Sequence, residues 1–184
     1  MQAYAIGFVL LTSGAALAEP AFPFDPDRLF ADHAALVEHL PDGRERLQMP
    51  GGVEVTRRDG DIQAIDGSGK GAVGCVLLLL SELEAALRLC DPHPGPELSE
   101  MQKRLAQVIS FSAKNAYPPI SENDLRALLS EQLAARPAGF CSAFTPENDL
   151  DLESIKAHFL RDLIPSSLDT VLETPRLPVI NPCF

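Results

Sequence analysis

Apolar residues recur every three or four positions along most of this chain, a spacing typical of helices with one apolar face. The pattern covers five segments: Pro26 to Leu40, Ala72 to Cys90, Leu98 to Asn115, Ser121 to Leu133, and a last helix that starts after Pro146 and has its apolar stripe from Leu152 to Leu163. The second segment carries only three charged side chains, so we expect it in the middle of the fold. The pattern predicts a bundle of four to five helices, with one further turn at Leu168 to Leu172.

Local signals indicate where the first helix begins and ends. Asp25 before Pro26 is typical of an N-cap followed by a first-turn proline, because proline has no N–H to leave unpaired there. Pro41 and the turn-forming residues after it cannot continue a helix. We therefore expect this helix to run from Pro26 to about Leu40.

One stretch has a different period. From Val53 to Ile65, apolar and polar residues alternate on either side of Asp59-Gly60, which is a favourable hairpin turn. A lone hairpin is marginally stable in water, so we expect it to pack against the helices as one wall. The predicted fold class is therefore mainly α: a helical bundle with one small β-hairpin.

The C-terminal segment, 174–184, contains three prolines and should be extended rather than helical. Pro175 to Pro178 fits a P-x-x-P ligand motif. An exported acidic domain gives no reason to expect the matching receptor. We therefore interpret this segment as packed along the bundle, with Cys183 holding it in place.

Residues 1–18 have the features of a secretory signal. They carry no charged side chain, include the apolar run Ala5 to Leu11 and end in Ala16-Leu17-Ala18, the small-x-small pattern of a cleavage site. The alternative is an apolar helix retained in the fold, but prolines beginning at Pro20 would end it at once. We predict cleavage directly after residue 18, which leaves 19–184 as the mature domain.

Composition narrows the class of protein. Residues 19–184 are the length of one domain, and the net charge is −11 with a pI near 4.7. Nucleic acid binding needs a clustered basic surface, which is not visible here. The run Ala72 to Leu80 is far shorter than the roughly 20 residues that span a bilayer. We expect a soluble periplasmic or secreted domain without nucleic acid partners or stable membrane insertion.

Four cysteines, Cys75, Cys90, Cys141 and Cys183, lie in this predicted mature chain. An even number in an oxidising compartment predicts two disulfides. No two of them have the C-x-x-C spacing of a redox centre or of a zinc site. We therefore expect structural cross-links.

Helix geometry restricts how these cysteines pair. Cys75 and Cys90 lie about 22 Å apart on one predicted helix at 1.5 Å per residue, whereas disulfide-bonded Cα atoms lie within about 7 Å. This excludes Cys75–Cys90, and with it Cys141–Cys183, and leaves two connectivities. Antiparallel packing of successive helices places Cys141 at the Cys90 end and the C-terminal segment near Cys75. We predict the pairs Cys90–Cys141 and Cys75–Cys183.

Metal and nucleotide motifs fail at positions that their chemistry requires. The Gly67 to Gly71 loop lacks the first glycine of a P-loop and the hydroxyl that holds magnesium. An EF-hand loop starting at Glu147 would need glycine at Leu152 and glutamate at His158. The histidines form no H-x-x-x-H pair for zinc. The sequence therefore predicts no cofactor and no metal.

One histidine has carboxylates at helical spacing. Asp162 lies four residues after His158, and Asp151 lies on the same predicted polar stripe, an arrangement that can orient an imidazole for general-base catalysis. No nucleophile can be paired with it from the sequence. A solvated histidine is therefore the preferred interpretation, and a small hydrolase or metal-dependent enzyme using these three residues is the alternative.

The functional expectation follows by elimination. Export, acidity and the lack of a complete chemical motif favour a non-catalytic binding or interaction module, with another envelope protein as its partner. A structural subunit of an envelope complex would instead expose a broad apolar patch. These classes differ in the surface that they predict.

Overall fold

A computed structural model describes residues 24–134, 139–144, 152–156 and 164–183. The helices are α1 (Pro26–Asp32), α2 (Val73–Cys90), α3 (Gly95–Asn115), α4 (Glu122–Ala134), α5 (Leu152–Ile155) and α6 (Ile164–Val171). The strands are β1 (Glu38–His39), β2 (Glu45–Met49), β3 (Val53–Arg58) and β4 (Asp61–Asp66). Short 3₁₀ turns cover Ala34–Leu36, Pro50–Gly52 and Phe140–Ala143.

The strands form one antiparallel meander in the order β1-β2-β3-β4. The predicted hairpin is β3–β4, and its turn residues Asp59 and Gly60 both have positive φ angles, 52° and 89°. That backbone fits the twist of a two-residue hairpin. The other two strands were not predicted. A mainly α bundle with one small hairpin is therefore wrong, and the fold is mixed, with helices and a four-stranded sheet.

The first predicted helix is correct only in its first half. α1 begins as expected, because the Asp25 side chain accepts a hydrogen bond from the backbone N–H of Arg28 at 3.0 Å. It ends at Asp32, however, and β1 then pairs with β2. Pro41 therefore follows a strand and not a helix, and the residues after it turn the chain back into a second hairpin, with Gly43 at φ 83°. Periodicity up to Leu40 overestimated this helix.

Two apolar clusters hold the fold. The first lies on one face of the sheet, which α1 and the C-terminal segment cover; its buried members are Leu29, Phe30, Leu47, Val53, Val55, Leu177 and Val179. The second lies among the helices and draws mainly on α2, with Met101, Val108, Ile109 and Ala113 of α3, Leu125 and Leu129 of α4, and Leu168 and Val171 of α6. Burial on most sides of α2 agrees with its near-continuous apolar sequence.

The C-terminal segment is extended, as predicted, and joins the two clusters. The backbone N–H of Gly74 donates to the carbonyl of Val179 at 2.8 Å, and that of Asp66 donates to Asn181 at 2.7 Å. Residues 176–179 are buried between the sheet and α2. Pro175 is exposed, but the other three residues of the P-x-x-P motif, 176–178, are packed inside the protein, which agrees with its interpretation as a structural segment.

Both disulfides have the pairing that helix geometry predicted. The Cα atoms of Cys75 and Cys183 lie 5.2 Å apart, and those of Cys90 and Cys141 lie 5.3 Å apart. α2 is continuous between its two cysteines, which keeps them at opposite ends. Within the described parts of the chain, no helix is both long and apolar enough to cross a membrane. The two disulfides are compatible with an exported protein.

Candidate ligand-binding cleft

The residues of the predicted enzyme alternative, Asp151, His158 and Asp162, lie outside the described residues. So do residues 1–18, which carry the predicted signal, and most of the failed EF-hand loop. The structure therefore does not bring these groups together or separate them. They stay a prediction from sequence.

The Gly67 to Gly71 loop is bound to the C-terminal segment. The Lys70 ammonium donates to the Glu173 carboxylate at 2.6 Å and to the Thr174 hydroxyl at 2.8 Å. The backbone N–H of Ser68 donates to Asp66 at 2.9 Å. The only lysine of the loop is thus engaged within the protein, in keeping with a structural role for this loop.

The described histidines lie apart from one another. His33 follows α1, His39 lies on β1 beside Glu45 at 3.7 Å, and His93 follows α2. Along the described ranges, no three His, Cys, Asp or Glu side chains are grouped so that they could hold a metal ion.

Beside His33, a small surface cluster connects α1 to the chain between α3 and α4. The Tyr117 hydroxyl donates to Asp32 at 2.8 Å, and the two aromatic rings of His33 and Tyr117 meet edge-on at 5.3 Å. This hydrogen bond is the main reason that the pKa of Asp32 is lowered and the pKa of Tyr117 is raised. Each group thus keeps its charge state over the neutral range, as a structural contact requires.

An open cleft lies where α2, α3 and α4 meet, with a volume of about 300 Å³. Its walls combine apolar and polar side chains. The lining residues are Ser81 and Glu84 of α2, Gln102, Leu105 and Ile109 of α3, and Arg126, Leu129 and Ser130 of α4.

Glu84 is the unusual residue of this cleft, because a carboxylate is rarely buried without full pairing. It is 9% exposed on a mostly apolar helix. Gln102 Nε2 donates to its Oε1 at 3.2 Å, and Arg88 Nε lies 3.3 Å from the same oxygen. Its Oε2 accepts no hydrogen bond from the described residues. One oxygen of a nearly buried carboxylate is therefore left for another donor.

Two further acceptors lie beside it. The Ser81 hydroxyl donates to the Leu77 carbonyl at 2.7 Å, and its lone pairs can accept one more hydrogen bond. Gln102 uses its amide N–H₂ on Glu84, which leaves its carbonyl oxygen as an acceptor. Ser81 and Glu84 are three residues apart and so share one face of α2.

A cation lies on the opposite wall. Arg126 of α4 is exposed, and its guanidinium makes no ion pair or hydrogen bond with the part of the chain that the structure describes. Its neighbours Leu125 and Leu129 are buried and attach α4 to the helical cluster. The cleft is thus lined by acceptors from α2 and α3, an unpaired guanidinium from α4 and apolar side chains from α3 and α4.

A second concave surface, about 330 Å³, lies near the β3–β4 turn. One of its cations is already in use: Arg57 pairs with Glu45 at 2.6 Å and with Asp27 at 3.3 Å, and it stacks on Phe30 at 4.3 Å. The other two arginines that line it are also paired, Arg44 with Asp42 and Arg58 with Asp59. A cation held by three partners has little to offer a ligand, so this surface is the weaker candidate.

Sequence reasoning did not single out the cleft. The sequence did contain one signal, which is the pair Ser81 and Glu84 within the most apolar helix. Burying a carboxylate is unfavourable unless it has partners, so a glutamate at such a position indicates a specific role. Arg126 gave no signal, because an exposed arginine on an amphipathic helix is ordinary.

Comparison of the chain with known protein families, with curated proteins and with solved structures found no match. A functional assignment therefore rests on the chemistry of the residues themselves.

Proposed function

We propose that this protein is a non-catalytic binding domain of the cell envelope and that the cleft between α2, α3 and α4 is its binding site. The observation that supports this most directly is the nearly buried Glu84, with one oxygen partnered and the other not. That oxygen is open to solvent through the cleft, so a ligand that donates to it takes the place of water without displacing a protein donor.

Binding is favoured over catalysis by the chemistry of the lining residues. The Ser81 hydroxyl donates to a backbone carbonyl instead of a base, so it is not activated as a nucleophile. The enzyme alternative, with His158, Asp162 and Asp151, rests on residues outside the described ranges. It predicts turnover of a substrate, which a binding domain does not show.

The proposed compartment is the periplasm or the exterior of the cell. Its support is the signal-like segment 1–18, together with two disulfides, which persist in oxidising compartments. The expected partner, another envelope protein, would be the protein that delivers or receives the ligand. A structural subunit is less favoured, because within the described ranges the exposed large apolar residues, Leu36, Ile65, Leu89 and Leu128, lie on four different elements.

The test is enrichment of small molecules from an envelope extract of the source organism. The oxidised mature protein is equilibrated with the extract across a dialysis membrane, and compounds retained on the protein side are identified by mass spectrometry. We expect wild type and Glu131→Gln to retain the same compounds and Glu84→Gln to lose them. Glu131 is a matched control, since it is an exposed carboxylate on α4 outside the cleft. Equal retention by all three proteins, or retention by none, would contradict the proposal.

A further inference from the structure

We propose, resting on the binding function above, that the ligand is a small zwitterion: an ammonium group, a carboxylate and an apolar body, the chemistry of an apolar α-amino acid. Each part of that description follows from one wall of the cleft.

The wall formed by α2 and α3 selects the ammonium. It offers the free Oε2 of Glu84, the Gln102 carbonyl oxygen and the Ser81 hydroxyl, which are three acceptors for three N–H donors. A guanidinium is a poorer match, because its parallel N–H groups bind best to both oxygens of one carboxylate at once. Oε1 of Glu84 already accepts from Gln102 and lies in an ion pair with Arg88, so a compact cation that needs only one oxygen fits this carboxylate better.

The α4 wall selects the carboxylate. The lining residues carry one negative charge, on Glu84, and one positive charge, on Arg126, so a ligand that is only a cation would leave the guanidinium without a partner. Arg126 has no anionic partner in the described structure, and a carboxylate accepts its planar N–H groups two at a time. A ligand with both charges therefore satisfies both walls.

The apolar lining and the volume of the cleft limit the size and polarity of the uncharged part of the ligand. Leu105, Ile109 and Leu129 line the cleft with apolar surface. A volume of about 300 Å³ is at the lower end of the range for ligand pockets. This suits an aliphatic side chain of a few carbons and is small for a nucleotide or a long oligosaccharide.

The experiment measures dissociation constants by isothermal titration calorimetry for four probes: L-leucine, L-leucinamide, which lacks the carboxylate, N-acetyl-L-leucine, which lacks the ammonium, and the dipeptide leucyl-leucine, which separates the two charges. Each probe is titrated into wild type, Glu84→Gln and Arg126→Gln. The matched controls are Glu131→Gln and Lys103→Gln, which remove one charge of each sign outside the cleft.

We expect L-leucine to bind wild type and both controls, and to bind each cleft variant about tenfold or more weakly, the usual loss when one charged hydrogen bond is removed. L-Leucinamide should be weakened further by Glu84→Gln but not by Arg126→Gln. N-Acetyl-L-leucine should show the reverse. Tighter binding of the dipeptide than of leucine would support the same chemistry with peptides as its source.

Two results would overturn the inference. One is leucine binding that neither cleft variant weakens, and the other is no binding by any of the four probes. In the second case the enrichment from envelope extract separates the two proposals. Retention of other compounds that Glu84→Gln loses would leave the binding function standing with a different ligand, whereas no retention would end both.

Discussion

Two nearly buried carboxylates in this protein differ in how many of their oxygens have a partner within the protein. Asp66, at the end of β4, has both oxygens partnered: Oδ2 by Arg176 Nε at 2.6 Å and Oδ1 by the backbone N–H of Ser68 at 2.9 Å. Neither side chain of the Asp66–Arg176 pair is exposed. Glu84, on α2, has one oxygen partnered and the other left without a donor from the described residues.

The surroundings of Arg176 extend the contrast. Its guanidinium also donates to the carbonyls of Gly71, Val171 and Thr174, at 2.6 to 3.1 Å. Gly51 lies so close that a Cβ atom there would sit 2.5 Å from the Cβ of Arg176. The Arg176 guanidinium uses nearly all of its N–H donors within the protein and so holds several segments together. The Glu84 carboxylate has one oxygen without a protein donor, and that oxygen is available to a ligand. The difference separates the structural pair from the binding group.

The disulfides should give the largest effect on stability. Cys75–Cys183 closes a separation of 108 residues and holds the segment that carries Arg176. Replacing both cysteines with serine should lower the free energy of unfolding by about 5 kcal/mol, and replacing Cys90 and Cys141, separated by 51 residues, by about 4 kcal/mol in the chain-entropy model. Urea denaturation of the two double variants measures both losses. A loss below about 1 kcal/mol for the first variant would show that the C-terminal segment is not held by this bond.

The Asp66–Arg176 pair should give the next largest effect. Arg176→Met leaves the Asp66 charge buried without its partner, so we expect a loss of about 3–5 kcal/mol in urea denaturation. Adding Asp66→Asn removes that charge and should recover part of the loss. A single substitution that costs under about 1 kcal/mol, or a double variant that is no more stable than the single one, would show that Asp66 finds other compensation.

Periodicity predicted the helical half of the molecule well. α2, α3 and α4 are long and have a regular apolar stripe, and the apolar character of α2 correctly placed it in the centre. The disulfide pairing followed because it depends only on the length of α2 and on short connections. Local spacing and helix geometry are sufficient for such features.

The sheet was underestimated for a physical reason. β1 has two residues and β2 five, too short for an alternating pattern to stand out. The inward-facing residues of β2 include one fully buried side chain, Leu47. These strands form because β2 pairs with β3 and because α1 covers one face of the sheet. Both are tertiary contacts, which the spacing of apolar residues along the chain does not show.

The cleft could not be predicted because its two charged walls come from different helices. Glu84 and Arg126 are brought together by the packing of α2, α3 and α4. The sequence shows a carboxylate in an apolar helix, but not which of its oxygens is left without a partner.

A third carboxylate, Asp91, has protein partners for both oxygens but is less buried than Asp66. We expect it to make the free energy of unfolding depend on pH. Lys156 forms an ion pair with it, and the backbone N–H of His93 donates to its other oxygen at 2.8 Å. The hydrogen bond from Lys156 is the main cause that lowers the pKa of Asp91, and the same contact raises the pKa of Lys156.

The direction of the pH effect follows from these pKa shifts. Stabilisation by Asp91 is present above its ordinary pKa and is lost as the pH falls through the lowered value; that by Lys156 is present below its ordinary pKa and is lost as the pH rises through the raised one. Asp91→Asn should therefore cost about 1–3 kcal/mol at neutral pH and less in strong acid. Urea denaturation across pH measures this, with Glu131→Gln as the exposed control. A cost that stays constant into strong acid would contradict the assignment.

The smallest effect on stability is expected at Glu84. Gln at this position keeps an amide oxygen that can accept from Gln102 and loses mainly the ion pair with Arg88, a pair four residues apart on one helix that contributes about 0.3–0.5 kcal/mol. Removing a partly buried charge also removes its desolvation cost, which offsets that loss. We therefore expect Glu84→Gln to change the free energy of unfolding by less than about 1 kcal/mol in urea denaturation, while the retention of envelope compounds is lost. A cost of about 3 kcal/mol, as for Arg176→Met, would instead place Glu84 with Asp66 among the groups that hold the fold.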